Sequence, residues 1–166
     1  MDTLPLVPDE STPEAPYRGL VSIIIPAYNC AETLGRSIAS LQSQTYRNTE
    51  IIVVDDASDD GGATRRIAEE RGARYLRLER NSGAAVARNT GAEAAKSELY
   101  LFAEADGYYD ADYVEKILRY LNLPGVVGAM NMGRRLWTDR DTPLVRHQND
   151  LLAAQAKRVL AGKRGT

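Results

Sequence analysis

Two groups of carboxylates directly follow apolar segments of the chain. Asp55 and Asp56 come after one apolar run, and Glu104 and Asp106 come after another. Because side chains alternate along an extended backbone, Glu104 and Asp106 are expected on the same side. Carboxylate oxygens suit Mg²⁺ or Mn²⁺, and Mg²⁺ usually takes one or two carboxylates while substrate phosphates complete its shell. The Glu104–Asp106 spacing therefore predicts half of a metal site whose other half is a diphosphate.

Each acidic motif also has a purely structural explanation. Paired acids after a strand often cap a turn or the next helix, and an acid-x-acid triplet is common in surface turns. A ligand site is favoured because polar groups follow three separate apolar runs. Besides the two acidic groups, Tyr28 and Asn29 come after the apolar run Val21–Ile25 near the start of the chain.

The elements that position these groups can be read from the hydrophobic pattern. Continuous apolar runs are typical of strands buried on both faces of a parallel sheet, and helical spacing lies between them. The pattern predicts strands at Val21–Ile25, Ile51–Val54, Ala73–Glu79, Leu99–Ala103 and Val126–Met130. It predicts helices at Glu32–Gln44, Arg65–Arg71, Gly83–Lys96, Asp110–Leu121 and Asn149–Leu160. This alternation indicates an α/β fold with a mostly parallel sheet flanked by helices.

Local signals refine the helices and locate the site. Gly72 is expected to end the second helix, and Asp110 or Asp112 to cap the fourth. The helix at 83–96 contains mostly small residues and should approach its neighbours closely. Since ligands bind beyond the carboxyl ends of the strands in open parallel sheets, the polar groups should meet at that edge.

Four motifs in series carry a resemblance to a known family. They are Pro26-Ala27-Tyr28-Asn29, Val53-Val54-Asp55-Asp56-Ala57-Ser58-Asp59, Asn81-Ser82-Gly83 with Ala87-Arg88-Asn89-Thr90-Gly91, and Leu101-Phe102-Ala103-Glu104-Ala105-Asp106. In this order and at these intervals they resemble family 2 inverting glycosyltransferases, over roughly residues 20–122. The resemblance implies a GT-A (Rossmann-like) fold whose first half binds a nucleoside diphosphate sugar.

The resemblance also implies roles for residues around the nucleoside. Three residues would border the base: Pro26, Ala27 and Tyr28. Asp55 or Asp56 would accept a hydrogen bond from the base or the ribose, with Ser58 in the same turn. By family frequency the donor is a UDP-sugar, with a GDP-sugar as the alternative.

The diphosphate side of the implied site involves four more residues. Gly83 would let the chain pass close to the nucleotide, and Arg88 would either brace its helix or reach a phosphate. Glu104 and Asp106 would hold the ribose and a divalent cation, with Asp106 as the expected metal ligand. Mg²⁺ or Mn²⁺ is needed because a nucleoside diphosphate leaves poorly unless its growing negative charge is neutralised.

The sequence departs from the family pattern in two respects. Glu104 stands where the family usually has Asp, and Gly107 stands where a further acid is common. The general base, which removes the proton of the attacking hydroxyl, lies well downstream in the family, in a part that this chain largely lacks. The candidate bases are Asp139, Asp141 and Asp150. Solvated loop acids are the better interpretation of all three.

Three functional hypotheses follow from these motifs. The first is a glycosyltransferase domain that transfers a sugar with inversion to a saccharide or lipid-linked acceptor. The second is a catalytically incomplete domain that binds a nucleotide sugar. A nucleotidyltransferase is less favoured, because it would need a glycine-rich basic loop after the first strand, where Pro26–Asn29 stands.

Composition sets the remaining expectations. The chain has 166 residues, 43% of them hydrophobic, and a net charge of −2, which gives no electrostatic argument for nucleic-acid binding. Residues 1–18 contain four prolines and are expected to be a flexible lead-in. Residues 19–122 are expected to form the nucleotide-sugar-binding core, and residues 123–166 a partial acceptor-side segment.

The single cysteine, Cys30, is expected to be a small buried filler and favours a reducing, cytoplasmic compartment. Neither a signal peptide nor a membrane span is expected. The basic pairs at 134–135, 157–158 and 163–164 are the candidate contacts to phosphate or an anionic membrane face, although such clusters are more often solvated helix ends.

Overall fold

The computed structural model describes residues 17–121, which form a parallel sheet with helices between its strands. The strands are β1 Val21–Ala27, β2 Thr49–Asp55, β3 Arg74–Arg77 and β4 Leu99–Phe102. The helices are α1 Ala31–Gln42, α2 Ala63–Glu70, α3 Ala84–Ala94 and α4 Tyr113–Leu121. All strand pairs are parallel, and the order across the sheet is β3-β2-β1-β4. The predicted α/β class is confirmed.

Strand β1 lies inside the sheet and is buried on both faces. Ile23 and Ile25 pack into one apolar cluster and Ile24 into the other, and all three side chains are 0% exposed. Full burial of one such side chain stabilises the fold by about 1.5–3 kcal/mol. This explains why β1 is continuously apolar instead of alternating.

The two faces of the sheet carry different helices. The larger cluster joins β1 to α1, α2 and α4 through residues such as Leu34, Ala68 and Leu118. On the opposite face, Ile24, Ile52 and Val54 pack against Ala87 of α3. The sequence predicted the small residues of α3, but it did not predict which face of the sheet each helix covers.

The glycine in the middle of α3 permits close packing against the sheet. A Cβ atom built on Gly91 would overlap the Cγ2 atom of Ile24 and lie 3.1 Å from Cγ2 of Val54. Two strands therefore press against this one position of the helix. The expectation that the small residues of this helix allow close approach is confirmed.

Several element ends differ from the predicted ones. Strand β1 continues two residues further, through Pro26 and Ala27, whereas β3 is shorter than predicted at both ends. Helix α2 begins at Ala63 and ends, as expected, before Gly72, whose φ of 70° is left-handed. The predicted elements Val126–Met130 and Asn149–Leu160 lie outside the described residues.

The start of α4 is set by a residue far away in sequence. The carbonyl of Asp112 accepts the N–H of Lys116, which places Asp112 at the N-cap. The N–H of Val114 instead donates to Oε1 of the buried Gln44, at 2.9 Å, and Nε2 of Gln44 donates to the carbonyl of Asp110. A side chain that follows α1 thus holds the first turn of α4. None of the helices within residues 17–121 has the length and apolar character needed to cross a bilayer.

The contact at Gly91 predicts opposite effects for two equivalent substitutions. Gly91→Ala should lower the free energy of unfolding by about 1–3 kcal/mol, because the added methyl group overpacks the Ile24 contact. Gly35→Ala in α1 should raise it by about 0.4–1 kcal/mol, since its Cβ meets Ile67 only at an ordinary 3.4 Å. Urea unfolding of both variants measures the difference. Equal effects of the two substitutions would contradict the close contact.

Candidate functional site

A cleft opens at the carboxyl ends of β1 and β4. It has a volume of about 620 Å³. Its lining residues are Pro26, Tyr28, Asn29, Cys30, Ala31, Glu32, Thr33, Asp60, Glu104, Ala105 and Asp106. The strand order reverses between β1 and β4, and such a switch point is where open α/β sheets bind ligands. Of the predicted residues, Pro26, Tyr28, Glu104 and Asp106 meet here.

Pro26 lies near the end of β1, beyond the last residue that pairs with β4. The carbonyl of Ile24 accepts the N–H of Ala103 at 2.9 Å, so the backbone of Ile24 faces β4. Alternate residues of a strand direct their backbone groups to the same side, so Pro26 also faces β4. Proline has no N–H to continue the ladder, and the pairing of β1 with β4 stops at Ile24 and Phe102.

The Asp55 carboxylate is buried and surrounded by four donors. Oδ1 accepts the N–H of Ser58 at 2.8 Å and its hydroxyl at 2.6 Å. Oδ2 accepts the phenol of Tyr75 and Nη1 of Arg77, the latter at 2.8 Å. A carboxylate has about four lone-pair sites, so this one is fully used within the protein. A contact of Asp55 with the base or ribose stays a prediction.

Tyr75 and Arg77 were not assigned to the site from the sequence. Because side chains alternate along a strand, Tyr75 and Arg77 share one face of β3, and this is the signal that the sequence carries. Burial and the hydrogen bond to Asp55 raise the pKa of the Tyr75 phenol. Arg77 is half exposed at 47%, and its Nη2 also donates to the carbonyl of Ser58. Arg77 neutralises Asp55, and the two residues together fasten the turn after β2 to β3.

Asp56 fixes the beginning of α3. Its two carboxylate oxygens accept the N–H groups of Ser82 at 2.7 Å and Gly83 at 2.8 Å. Gly83 has a φ of 90°, a left-handed value that glycine adopts without strain. Asp56 thus holds the segment that leads into α3, and the alternative that the paired acids cap a turn has direct support at Asp55, which accepts the N–H of Ser58. The predicted approach of Gly83 to a nucleotide stays untested.

Arg88 and Glu104 form an ion pair between α3 and the end of β4. Nη2 of Arg88 lies 2.8 Å from Oε1 of Glu104, with the side chains 32% and 59% exposed. Because both groups are partly solvated, the pair adds little stability. Its effect is on the charge of the cleft, since it offsets one of the four carboxylates that line it, those of Glu32, Asp60, Glu104 and Asp106.

Asp106 is the exposed carboxylate of the acid-x-acid turn. It lines the cleft, and its carboxylate forms no hydrogen bond or ion pair within residues 17–121. Those residues contain no group of three or more His, Cys, Asp or Glu side chains arranged to hold a metal ion. One free carboxylate beside a second, ion-paired one fits Mg²⁺ or Mn²⁺ when phosphates and water supply the other ligands.

The loops after β1 and β2 are tied together beside the cleft. Nδ2 of Asn29 donates to Asp59, whose N–H donates back to Oδ1 of Asn29 at 2.9 Å. The N–H of Asn29 donates to the hydroxyl of Ser58 at 2.9 Å. Asn29 has a φ of 48°, which asparagine tolerates better than most residues. Ser58 thus has a defined structural role, whereas a contact with the nucleotide stays a prediction.

Cys30 lies in the wall of the cleft and is half-buried, which differs from the buried filler expected. Burial is the main reason why the pKa of its thiol is raised.

The remaining predicted residues are placed as follows. Ala27 is buried in the sheet, and Asp139, Asp141 and Asp150 lie outside the described residues.

The sequence profile of glycosyl transferase family 2 matches residues 22–160, most of the chain. The chain therefore belongs to this family. Among curated relatives, poly(ribitol-phosphate) beta-N-acetylglucosaminyltransferase TarP of Staphylococcus aureus (strain N315) is 37% identical over 105 residues, which is 60% of this chain and 32% of that protein.

Solved structures agree with this assignment. The mannosyltransferase PcManGT of Pyrobaculum calidifontis, in complex with GDP-Man and Mn²⁺, is 31% identical with a TM-score of 0.62, over 72% of this chain and 37% of that one. S. aureus TarS in complex with UDP is 29% identical with a TM-score of 0.52, over 57% and 30% of the two chains. The expected GT-A fold is confirmed.

The curated relatives are longer than this chain. Its matched segment covers from 14% to 43% of their lengths. The chain therefore spans less than half the length of each of these relatives.

Asp60 lines the cleft and contacts helix α2. We predict that its carboxylate makes the free energy of unfolding depend on pH. Its Oδ2 accepts the N–H and hydroxyl of Thr64 at 2.9 and 2.6 Å, and the hydroxyl is the main cause of its lowered pKa. A lowered pKa in the folded state stabilises the fold above the unfolded pKa of about 3.9. Asp60→Ala should cost about 1 kcal/mol at pH 7, and this difference should shrink as the pH falls through the folded pKa.

Asp60→Asn is the matched control, because asparagine caps helices about as well without a charge. Denaturant unfolding of the three proteins from pH 7 to pH 3 measures both effects. A cost for Asp60→Ala that is the same at both ends of this range would show that the charge of Asp60 contributes nothing.

Proposed function

We propose that the cleft binds a nucleoside diphosphate sugar together with Mg²⁺ or Mn²⁺, and that the whole protein transfers the sugar with inversion to a saccharide or lipid-linked acceptor. The observation that carries the proposal is the meeting of the loop after β1 with Glu104 and Asp106 at the switch point of the sheet. Support comes from the family assignment and from neighbours bound to UDP, UDP-GlcNAc and GDP-Man. A UDP-sugar is the favoured donor, with a GDP-sugar as the alternative.

The lining residues divide naturally between the two ends of such a ligand. Tyr28 is 48% exposed and lines the cleft after β1, so its ring is available to cover a base or ribose. Asp106 would hold the cation, with Glu104 beside it. The cation would supply Lewis-acid stabilisation of the departing diphosphate.

Arg88 would give the site a positive group in addition to the metal ion, close to the acidic turn. In the free protein its guanidinium is paired with Glu104. A diphosphate in the cleft would compete with Glu104 for this guanidinium, because planar Arg donors match phosphate as well as carboxylate. This supports the proposed contact of Arg88 with phosphate. Before the ligand binds, the ion pair with Glu104 would hold the guanidinium beside the acidic turn.

Calorimetry with UDP and GDP, each with and without Mn²⁺, tests the donor site. UDP should bind, and Mn²⁺ should strengthen its binding. Asp106→Asn should abolish that strengthening and leave the metal-free affinity unchanged, because a neutral amide is a poor ligand for a hard cation. Asp110→Asn is the matched control, since this exposed acid lies nearby but outside the cleft.

Two outcomes would overturn the proposal. Absence of heat with every nucleotide at millimolar concentration would remove the donor site itself. An undiminished Mn²⁺ effect in Asp106→Asn would move the metal elsewhere. Transfer is tested separately, by following nucleotide release and glycoside formation with a panel of UDP-sugars and acceptors, where turnover of about 1 s⁻¹ or more marks an ordinary enzyme.

A further inference from the structure

Tyr109 lies behind the acid-x-acid turn, outside the residues that line the cleft. Its phenolic oxygen accepts the backbone N–H of Glu104 at 2.6 Å. The ring of Tyr113 lies 5.0 Å from the ring of Tyr109, centroid to centroid. The backbone N–H of Tyr109 donates to the hydroxyl of Ser40, at 3.2 Å. Tyr109 therefore joins the turn to helix α1.

The peptide groups of Glu104 are held on both sides. While Tyr109 accepts the N–H, the carbonyl of Glu104 accepts the hydroxyl of Ser37 at 2.8 Å and the N–H of Gly107 at 3.0 Å. Ser37 is fully buried in α1. The backbone of the turn is therefore fixed by groups that belong to the core, while the side chains of Asp106 and of Glu104, which is paired with Arg88, line the cleft.

The position of Tyr109 explains why glycine follows Asp106. A Cβ atom built on Gly107 would lie 2.6 Å from the phenolic oxygen of Tyr109 and 2.7 Å from its Cε2 atom. Any larger residue would displace the ring, and with it the acceptor for the Glu104 N–H. Glycine stands here, where the family commonly has a further acid, because Tyr109 occupies the space that a side chain would need.

The phenol keeps its proton throughout the working pH range. Burial is the main cause that raises the pKa of Tyr109 to about 12, and the Glu104 and Asp106 carboxylates add to it. A neutral phenol can accept the Glu104 N–H and still offer its own O–H. Its contribution to the turn should therefore not vary between pH 6 and pH 9.

We propose that Tyr109 is a positioning residue for the metal side of the donor site, holding the turn so that Glu104 and Asp106 meet the cation and diphosphate together. This inference rests on the proposed function. Groups behind metal ligands typically change metal affinity by about 10–100-fold when they are removed. Tyr109 acts through the backbone, so its loss should affect the metal-dependent part of binding and not the nucleoside.

Tyr109→Phe is the test, because it keeps the ring and removes the phenolic acceptor. The readout is the ratio of the UDP dissociation constants measured without and with Mn²⁺. This ratio should fall by about tenfold, with metal-free UDP binding unchanged. In the free protein, hydrogen exchange at the Glu104 amide should accelerate by about tenfold or more, since that N–H loses its partner.

Two further variants separate positioning from a general loss of structure. Tyr108→Phe makes the same chemical change one residue earlier, at a side chain that is 63% exposed, and should leave both readouts as in the wild type. Gly107→Ala keeps the phenol but displaces its ring, and should reproduce the effect of Tyr109→Phe on the ratio.

Three results would count against these assignments in different ways. An unchanged ratio in Tyr109→Phe, or a loss of UDP affinity that is equal with and without Mn²⁺, would overturn the positioning role. Unchanged exchange at Glu104 would overturn it as well. A wild-type chain with no Mn²⁺ effect would refute the proposed function, and amide exchange alone would then decide whether Tyr109 fixes the turn.

Discussion

The burial of β1 on both faces is the constraint on which the other elements depend. Its isoleucines leave no polar face, so helices must cover both sides and strands must pair with both edges. Parallel pairing brings the carboxyl ends of β1, β2 and β4 to one edge, and the reversal of strand order leaves a gap there. Pro26 offers no N–H to β4 at this edge, where the pairing of β1 with β4 has already ended. The position of the cleft therefore follows from the packing of the core, and its polar and acidic side chains come from the residues at the strand ends.

Four of the acids at this edge have the same chemistry but different surroundings. Asp55 is enclosed by Ser58, Tyr75 and Arg77, and Asp56 is engaged by backbone N–H groups at the start of α3. Glu104 shares its charge with Arg88, and Asp106 faces the solvent in the cleft. Burial with full hydrogen bonding makes a carboxylate part of the scaffold, whereas exposure without a partner leaves it able to bind a cation. Position in the motif alone does not separate these cases.

The sequence was sufficient for the strands with continuous apolar runs and for the helices with clear stripes, because burial on known faces leaves a periodic signal. It was insufficient where a partner lies far away along the chain. The cap that Gln44 gives to α4, the enclosure of Asp55 by β3 and the support of Glu104 by Tyr109 all depend on tertiary contacts. The cleft could be placed at the correct edge of the sheet. Which of its acids are free could not, since that depends on donors from other elements.

The order of the strands also affects how the sheet can form. β1 comes first in the chain, yet Val21 pairs with Thr49 on one side and with Leu99 on the other. Pairings between distant residues slow folding, because the intervening chain must close before the contact is made. On a growing chain, one edge of β1 has no native partner until β4 has been synthesised. An unpaired apolar edge can pair with another molecule, so the strand that organises the finished sheet also has an edge that is open to aggregation during synthesis.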